Sequence, residues 1–178
     1  RKDFSFPNVH IHLHKQIPIG AGLGGGSADA AFTLKGLNEL FELEISSKKL
    51  EKYALQLGAD CPFFIDDRPA LVEGIGEKLS HIDLDLSVFE IRLVMPGIHI
   101  STAEAYAGVS PKIPKNPLRE LIKLPIEKWK GKIKNDFERS IFIKHPKLQS
   151  IKEQLYKEGA IYAAMSGSGS TLYGFFVK

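Results

Sequence analysis

The residues with the clearest chemical meaning are the glycines between positions 20 and 26, where five of seven residues are Gly. Glycine has no Cβ atom to keep a ligand away from the backbone, and it adopts the positive φ angles that turn successive N–H groups toward one point. The segment leads into an apolar pattern of helical period, and helix N-termini bind anions. The pattern predicts a cradle for a di- or triphosphate. The alternative is a helix start in which the glycines bind no ligand and only allow close packing against a strand.

Two common phosphate-binding motifs do not match this segment. A P-loop needs Lys and then Ser or Thr after its last glycine, but Gly26 is followed by Ser27 and Ala28. A dinucleotide-binding fold needs an acidic residue about 20 residues further on, at the end of a parallel strand. Glu42 and Glu44 lie in that range, but their neighbours do not form the end of such a strand.

A lone carboxylate, Asp60, lies between a predicted helix end at Gly58 and the apolar residues Phe63 and Phe64. Partial desolvation by the two phenylalanine rings would raise its proton affinity and make it a better general base. The alternative is an aspartate that only caps a helix or forms a turn.

A second turn of small residues, from Met165 to Thr171, contains two glycines and three serines. Its backbone N–H groups would be able to approach a phosphate or a substrate closely. A tight β-turn without a ligand is the alternative.

The elements that must position these residues follow mixed helical and strand periods. Strand patterns occur at residues 9–14, 63–65, 70–72, 88–95, 161–162 and 172–177. Amphipathic helices are predicted over residues 27–41, from Ser46 or Ser47 to Leu57, and around residues 148–155. Residues 81–87 are irregular and are typical of a linker. The sequence therefore predicts an α+β protein of two small domains that meet near residue 87, with residues 88–95 as a buried strand.

The composition narrows the class of protein. The 178-residue chain carries 24 Lys and Arg against 21 Asp and Glu, a net charge of +3, which is too even for a dedicated nucleic-acid binder but suits a polyanionic small molecule. A single Cys excludes an intramolecular disulfide, and the apolar runs are far shorter than the ~20 residues of a membrane span. No signal-peptide pattern follows Arg1. We expect a cytoplasmic protein without a nucleic-acid or membrane partner; the oligomeric state is unknown.

Three segments in one order resemble the GHMP kinase superfamily: the glycine-rich loop that opens a helix, the GADCPFF segment at residues 58–64, and the late GSG turn. Further motifs are similar to the members that phosphorylate 4-diphosphocytidyl-2-C-methyl-D-erythritol in the non-mevalonate isoprenoid pathway. These motifs are KQIPIGAGLGGGSADAA (15–31), VEGIGEKL (72–79), PGIHISTAEAY (96–106) and MSGSGSTLYGFF (165–176). The resemblance implies a partial ATP-binding amino-terminal domain like that of ribosomal protein S5 (residues 1–87) and a ferredoxin-like carboxy-terminal domain (residues 88–178).

The resemblance also implies an enzyme that transfers the γ-phosphoryl group of ATP, with Mg²⁺, to the 2-hydroxyl group of that substrate. Asp60 would be the catalytic aspartate, which accepts the hydroxyl proton or orients the attacking oxygen. Ser27 would lie near the metal or the β-phosphate, and no residue is assigned as a metal ligand. The implied ATP-binding residues are Pro18, Gly20, Ala21, Gly22, Leu23, Gly24, Gly25, Gly26, Ser27 and Ala28.

Five residues are implied as substrate contacts. Ile75, in the EGIGE turn, would line the substrate pocket. Thr102 and Tyr106 would contact the cytidine end, where the Tyr106 ring would stack on the cytosine face. Gly167 and Ser168 would lie beside the bound substrate or the phosphates.

Members of the superfamily carry, ahead of the position that matches Arg1, a segment with a Lys and an Asn, which supplies the lysine partner of the catalytic aspartate. The resemblance therefore implies either a fragment of a longer kinase or an inactive chain. Lys15 adjoins the glycine loop, and we expect it to be exposed to solvent rather than to replace that lysine.

Several alternatives stay open at this point. A kinase of the same superfamily with a mevalonate-type acceptor, or a non-catalytic RNA-binding module, would share parts of the pattern. His10, His12 and His14 share one face of the predicted strand, but a polar strand face is favoured over a metal site. Cys61 is expected to be an inert, half-buried thiol, and the lysines at residues 128–134 are expected to form a solvated surface.

Overall fold

A computed structural model describes residues 3–178, so Arg1, where the signal-peptide prediction begins, lies outside the described residues together with Lys2. The chain forms two compact units. The N-terminal unit holds the described residues up to Ile19 and then Gly24–Asp83, and the C-terminal unit holds Gly20–Leu23 and Leu84–Lys178. Within residues 3–178, none of the helices combines the length and the apolar character needed to cross a membrane. The domain boundary near residue 87 stays a prediction.

The N-terminal unit consists of three helices and a small hairpin. Its elements are α1 (Gly25–Leu40), α2 (Ser47–Leu57), α3 (Phe63–Asp66), β1 (Ala70–Glu73) and β2 (Lys78–His81). The strands β1 and β2 pair antiparallel, with Ala70 opposite His81. The helices enclose a small core of buried residues: Ala31, Leu50, Ala54, Cys61 and Ile65.

The helical period in the sequence located α1 and α2 to within two residues of their observed ends. The carbonyl oxygen of Ser46 accepts the amides of Lys49 and Leu50, each at 2.9 Å, which starts α2 without a bond from the serine side chain. Gly58 follows the last residue of α2, as predicted, and its amide donates to the carbonyl of Ala54 at 3.1 Å.

Two strand predictions in this unit are wrong. The apolar residues 63–65 form helix α3, which begins after Pro62 in the right-handed helical conformation and buries Ile65 in the core. A run of three apolar residues fits a buried helical turn as well as it fits a strand. Residues 9–14 form no strand, and Ile11 and Leu13 are 64% and 59% exposed. Their alternating pattern lacks a hydrogen-bonded partner strand among the described residues, and a strand needs one.

The C-terminal unit is built on a three-stranded sheet. Its elements are β3 (Phe89–Val94), α4 (Thr102–Ala107), α5 (Leu118–Leu121), a 3₁₀ turn (Ile126–Lys128), α6 (Glu138–Lys144), α7 (Pro146–Lys157), β4 (Tyr162–Met165) and β5 (Leu172–Val177). The strand order is β3-β5-β4, and both pairs are antiparallel. Phe175 on the central strand lies opposite Ile91 on one side and Tyr162 on the other.

Each face of this sheet carries its own core. On one face, Leu172 and Phe176 pack with residues of α6 and α7 such as Ile141 and Leu148. On the other, Phe175 packs with the single tryptophan, Trp129, whose indole N–H donates to the carbonyl of Leu124 at 2.8 Å.

The expectation that residues 88–95 form a buried strand is half right. Strand β3 is present, but Ile91 and Leu93 are 53% and 50% exposed. Among the described strands β3 pairs with β5 alone, so it forms an edge of the sheet. The apolar residues of this segment, interrupted by Glu90 and Arg92, do not reveal whether the strand lies at the centre or at the edge of its sheet.

Candidate active site

The second half of the glycine loop begins helix α1. Gly24 precedes the helix with φ +66°, and its carbonyl accepts the amide of Ala28 at 2.9 Å. The amides of Gly25, Gly26 and Ser27 therefore form the open N-terminal turn, and they have no acceptor among the described residues. These N–H groups, at the positive end of a 16-residue helix, are free to bind an anion.

An ion pair lies beside this turn. The Nζ atom of Lys15 donates to the carboxylate of Asp29, and the lysine side chain is 25% exposed. A Cβ atom on Gly25 would lie 3.4 Å from that Nζ. The expectation that Lys15 points into solvent is therefore wrong, because Asp29 on the facing helix holds its ammonium group.

Asp60 lies in the turn between α2 and α3, where the amide of Cys61 donates to the carbonyl of Gly58 at 3.2 Å. Asp60 is exposed, so the predicted desolvation by Phe63 and Phe64 is wrong. Cys61, predicted to be half-buried, is only 2% exposed, because it faces the core rather than the surface.

Helix α3 connects the Asp60 turn to the glycine loop. A Cβ atom on Gly24 would lie 2.9 Å from the Phe64 ring, so the start of α1 packs directly on α3. The structure thus brings the turn that carries Asp60 and the loop residues Gly24–Ala28 to the same region of the N-terminal unit. Pro18 precedes the loop and is exposed.

The EGIGE turn between β1 and β2 packs against the residue that precedes Asp60. Gly76 has φ +118°, and a Cβ atom there would lie 2.1 Å from the carbonyl oxygen of Ala59. The Ile75 amide donates to Glu77 Oε2 at 2.7 Å. Hydrogen bonds from the amides of Glu77 itself and of Ile75 lower the pKa of the Glu77 carboxyl. The Ile75 side chain is 75% exposed at the tip of the turn.

The first half of the glycine loop, Gly20–Leu23, packs within the C-terminal unit on the late turn. The Ser166 hydroxyl donates to the carbonyl of Gly22 at 2.7 Å, and the Thr171 amide donates to the carbonyl of Ala21 at 3.1 Å. The carbonyls of Ala21 and Gly22 are therefore bound to protein. The amides of residues 20–23 have no acceptor within the described part of the chain.

The predicted substrate contacts of the C-terminal unit lie at its surface. Thr102 is the exposed first residue of α4, and Tyr106 on the same helix is 64% exposed. The Tyr106 ring meets the Phe137 ring edge to face, at 5.0 Å between centroids. In the late turn Gly167 is exposed and Ser168 is half-buried.

Two residues of this region make hydrogen bonds to the late turn that the sequence analysis missed. Asn135 and Glu138 bind backbone atoms of the late turn, at Met165 and Gly167. The partners lie about 30 residues apart in sequence, so no local pattern reveals them. The Asn-Asp pair before helix α6 offers only the ordinary pattern of a turn ahead of a helix.

The side chains that could ligate a metal ion form no cluster in the described part of the chain. Among residues 3–178, no group of three or more His, Cys, Asp or Glu side chains is placed to hold a metal ion. His10, His12 and His14 are exposed, and they belong to the segment that forms no strand.

The class of protein follows from the sequence families that match the two units. The model of the GHMP kinases N terminal domain matches residues 1–68, and that of the GHMP kinases C terminal domain matches residues 118–178. The chain belongs to the GHMP kinase family, as its motifs predicted, with the mixed helix-and-sheet fold of that family.

The relatives of this chain carry a more specific name. A protein of Bacteroides fragilis named 4-diphosphocytidyl-2-C-methyl-D-erythritol kinase is 51% identical over 98% of this chain and 64% of its own length. A protein of the same name from Azobacteroides pseudotrichonymphae is 50% identical over 100% of this chain and 67% of its own. The chain thus spans about two thirds of the length of these relatives.

Solved structures agree with the fold. A crystal structure of 4-(cytidine 5'-diphospho)-2C-methyl-D-erythritol kinase superposes with a TM-score of 0.72 and 33% identity, over 90% of this chain and 59% of that chain. Homoserine kinase from Cytophaga hutchinsonii has a TM-score of 0.65 at 15% identity, over 92% of this chain and 59% of that chain. The second likeness concerns the fold alone.

Proposed function

We propose that this protein transfers the γ-phosphoryl group of ATP to the 2-hydroxyl group of 4-diphosphocytidyl-2-C-methyl-D-erythritol, in the synthesis of isoprenoid precursors by the non-mevalonate route. The observation that carries the proposal is the identity of about 50%, over nearly the whole chain, to relatives that all bear the name of this kinase. A mevalonate-type acceptor or an RNA-binding role has no comparable support. We propose a cytoplasmic location for the same reason.

The proposal assigns the polyphosphate of ATP to the backbone amides of the glycine loop. In the C-terminal unit Ala21 and Gly22 use their carbonyls for protein contacts, and in the N-terminal unit Gly25–Ser27 open α1. Both observations support the role, because amides without protein acceptors are donors for phosphate oxygens. Pro18 and Ala28 flank the segment.

Asp60 is proposed as the catalytic aspartate. Its exposed carboxylate, in the turn beside the start of α1, suits a group that accepts or orients the proton of the attacking hydroxyl. Phosphoryl transfer needs little covalent chemistry from the protein, so positioning of the hydroxyl and stabilisation of charge supply most of the rate.

We propose that Mg²⁺ accompanies ATP at this loop, where the Ser27 hydroxyl is an oxygen ligand of the kind that Mg²⁺ binds. Mg²⁺ is commonly bound by one or two carboxylates together with the phosphates of a substrate, so it does not require a cluster of acidic side chains. The half-buried Ser27, in the first turn of α1, would lie beside the ion or the β-phosphate, while Lys15 already binds Asp29. When bound, the ion neutralises negative charge on the phosphates.

The proposed substrate contacts are surface residues with suitable chemistry. Tyr106 presents an exposed aromatic ring, as stacking on a cytosine face requires. Thr102 offers an exposed hydroxyl on the same helix. Ile75 is an exposed apolar residue on the turn that packs on Ala59, and Gly167 and Ser168 belong to the late turn.

The test is coupled ADP release by the full-length protein with a panel of acceptors: the cytidine-linked methylerythritol, mevalonate and homoserine. Binding of an ATP analogue to the 178-residue chain is measured in parallel. We expect a preference for the cytidine-linked acceptor. A preference for an acceptor without cytidine would overturn the proposal and the Tyr106 assignment.

Asp60→Asn tests the catalytic role. Loss of a general base costs about 10²–10⁴ in rate, so we expect kcat to fall at least 100-fold while nucleotide binding is retained. The control is Asp67→Asn, an exposed aspartate at the end of α3 whose φ of +54° asparagine also adopts. A loss below tenfold for Asp60→Asn would remove Asp60 from this role.

A further inference from the structure

We infer that Asn135 is a positioning residue: with Glu138 it fixes the late turn, residues 165–171, and through that turn it sets the shape of Gly20–Leu23. The inference rests on the proposed function, since it assigns nucleotide binding to that loop. It adds a residue that lies outside the glycine loop, the Asp60 turn and the predicted substrate contacts.

The side chain of Asn135 uses both of its polar atoms. Its Nδ2 donates to the carbonyl of Met165 at 2.8 Å and to the carbonyl of Gly167 at 2.7 Å. Its Oδ1 accepts the amide of Phe137 at 2.9 Å. One amide group thus ties the segment ahead of helix α6 to two carbonyls of the late turn, which only a side chain with two N–H donors and an acceptor can do.

Glu138 binds the backbone amide of Met165, the residue whose carbonyl Asn135 binds. Its Oε1 accepts the amide of Met165 at 2.8 Å, and its Oε2 forms an ion pair with Lys152 on α7 at 2.5 Å. The Glu138 side chain is only 12% exposed. The amide and the carbonyl of Met165 are therefore both bound by side chains of residues 135–138, so the turn starts from a fixed point.

The late turn also contacts the glycine loop, so a fixed position of the turn also fixes residues 20–23. Besides the hydrogen bonds from Ser166 and Thr171 to the loop carbonyls, the two backbones are in direct contact at Gly22. A Cβ atom on Gly22 would lie 2.4 Å from the carbonyl oxygen of Ser166. A displaced turn must therefore displace Gly20–Leu23, because no side chain separates the two segments.

The same segment supports the proposed cytidine contact. Phe137 is anchored by Asn135 through its amide, and its ring packs against the exposed ring of Tyr106. Loss of the Asn135 side chain would release both a loop proposed for phosphate and a residue proposed for the base.

The test uses Asn135→Asp in the whole 178-residue chain. A carboxylate at this position is the same size but has no N–H group, so it faces two carbonyl oxygens with negative charge. The matched control is Asn38→Asp in the N-terminal unit. Asn38 also binds backbone with both polar atoms, through Ile45 N at 2.9 Å and Ile45 O at 3.2 Å.

Two measurements are made on each variant: the Kd of a non-hydrolysable ATP analogue by titration calorimetry, and hydrogen exchange of the Thr171 amide, which donates to the carbonyl of Ala21 and so reports the contact between the late turn and Gly20–Leu23. We expect Asn135→Asp to raise the Kd about tenfold or more, because both hydrogen bonds from Nδ2 are lost, and to speed exchange of the Thr171 amide. Asn38→Asp should lower the melting temperature but leave the Kd within about twofold.

Unchanged exchange of the Thr171 amide in a folded Asn135→Asp variant would overturn the inference. If that variant does not fold, Asn135→Ala serves instead, because alanine removes both hydrogen bonds from Nδ2 without adding a charge; unchanged exchange of the Thr171 amide would again overturn the inference. A wild-type chain that binds no ATP analogue would refute the proposed function, whereas the exchange readout would still decide the role of Asn135.

Discussion

At Gly22 the packed backbone leaves no room for a side chain. Its φ is +77°, and a Cβ atom would lie 2.4 Å from the Ser166 carbonyl oxygen and 2.6 Å from that of Gly169. Both neighbours are backbone atoms, so neither can rotate away. Gly22→Ala therefore combines two costs: a left-handed conformation for alanine and a forced separation of two packed loops.

The two costs can be estimated separately. The left-handed conformation costs an alanine about 1–2 kcal/mol, and forcing an extra carbon into a packed region costs about 1–3 kcal/mol. We expect Gly22→Ala to lower the free energy of unfolding of the C-terminal unit by about 3 kcal/mol, and to weaken binding of an ATP analogue. The control is Gly97→Ala, whose φ is +71° but whose Cβ would meet nothing within 4 Å, so only the first cost applies.

The assay is urea unfolding followed by the fluorescence of Trp129, the single tryptophan, which is 4% exposed in the C-terminal unit. The difference in the free energy of unfolding between the two variants measures the backbone contact alone. Equal destabilisation by Gly22→Ala and Gly97→Ala would refute the close packing of the glycine loop on the late turn.

Two further predictions concern the same unit and the same fluorescence signal. The Thr171 hydroxyl is buried without a hydrogen-bond partner among the described residues, so Thr171→Val, of the same shape, should leave the free energy of unfolding unchanged or raise it by about 1 kcal/mol; a loss above that amount would contradict it. Burial raises the pKa of Tyr162 and of Tyr173 above the usual value of about 10. The folded state therefore favours the neutral phenols: their contribution to stability is complete below pH ~10 and is lost as the pH rises through their raised pKa. Tyr162→Phe should make the free energy of unfolding less dependent on pH above ~10, and an unchanged alkaline dependence would count against burial as the cause.

The two long helices of the N-terminal unit, α1 and α2, were predictable because the pattern that marks them lies in consecutive residues. The period of apolar residues located α1 and α2, and Gly58 marked the end of α2. Residues 63–65 and 9–14 were assigned wrongly. An apolar or alternating pattern indicates which side chains favour burial, but it does not indicate which other segment of the chain packs against them. The exposed edge position of β3 was missed for the same reason.

In the candidate site, too, the contiguous motifs were predictable and the contacts between distant segments were not. The glycine loop, the Asp60 turn and the late turn are contiguous motifs, so they were visible in the sequence, although their roles stay proposals. The ion pair of Lys15 with Asp29 and the burial of Cys61 depend on which helix faces which segment. Asn135 and Glu138 were invisible, because their partners lie about 30 residues away in the chain.

The sequence by itself determined the family and the glycine motif for which we propose phosphate binding, because glycine spacing and helix period are properties of consecutive residues. Only the tertiary structure decided how those residues are held. It bound the carbonyls of Ala21 and Gly22 to the late turn, and it left the amides of residues 20–23 and 25–27 without an acceptor among residues 3–178. It also placed Asn135 within hydrogen-bond distance of two carbonyls of the late turn. Hydrogen bonds between distant segments form only when packing brings donor and acceptor within about 3 Å, and no local pattern records that distance.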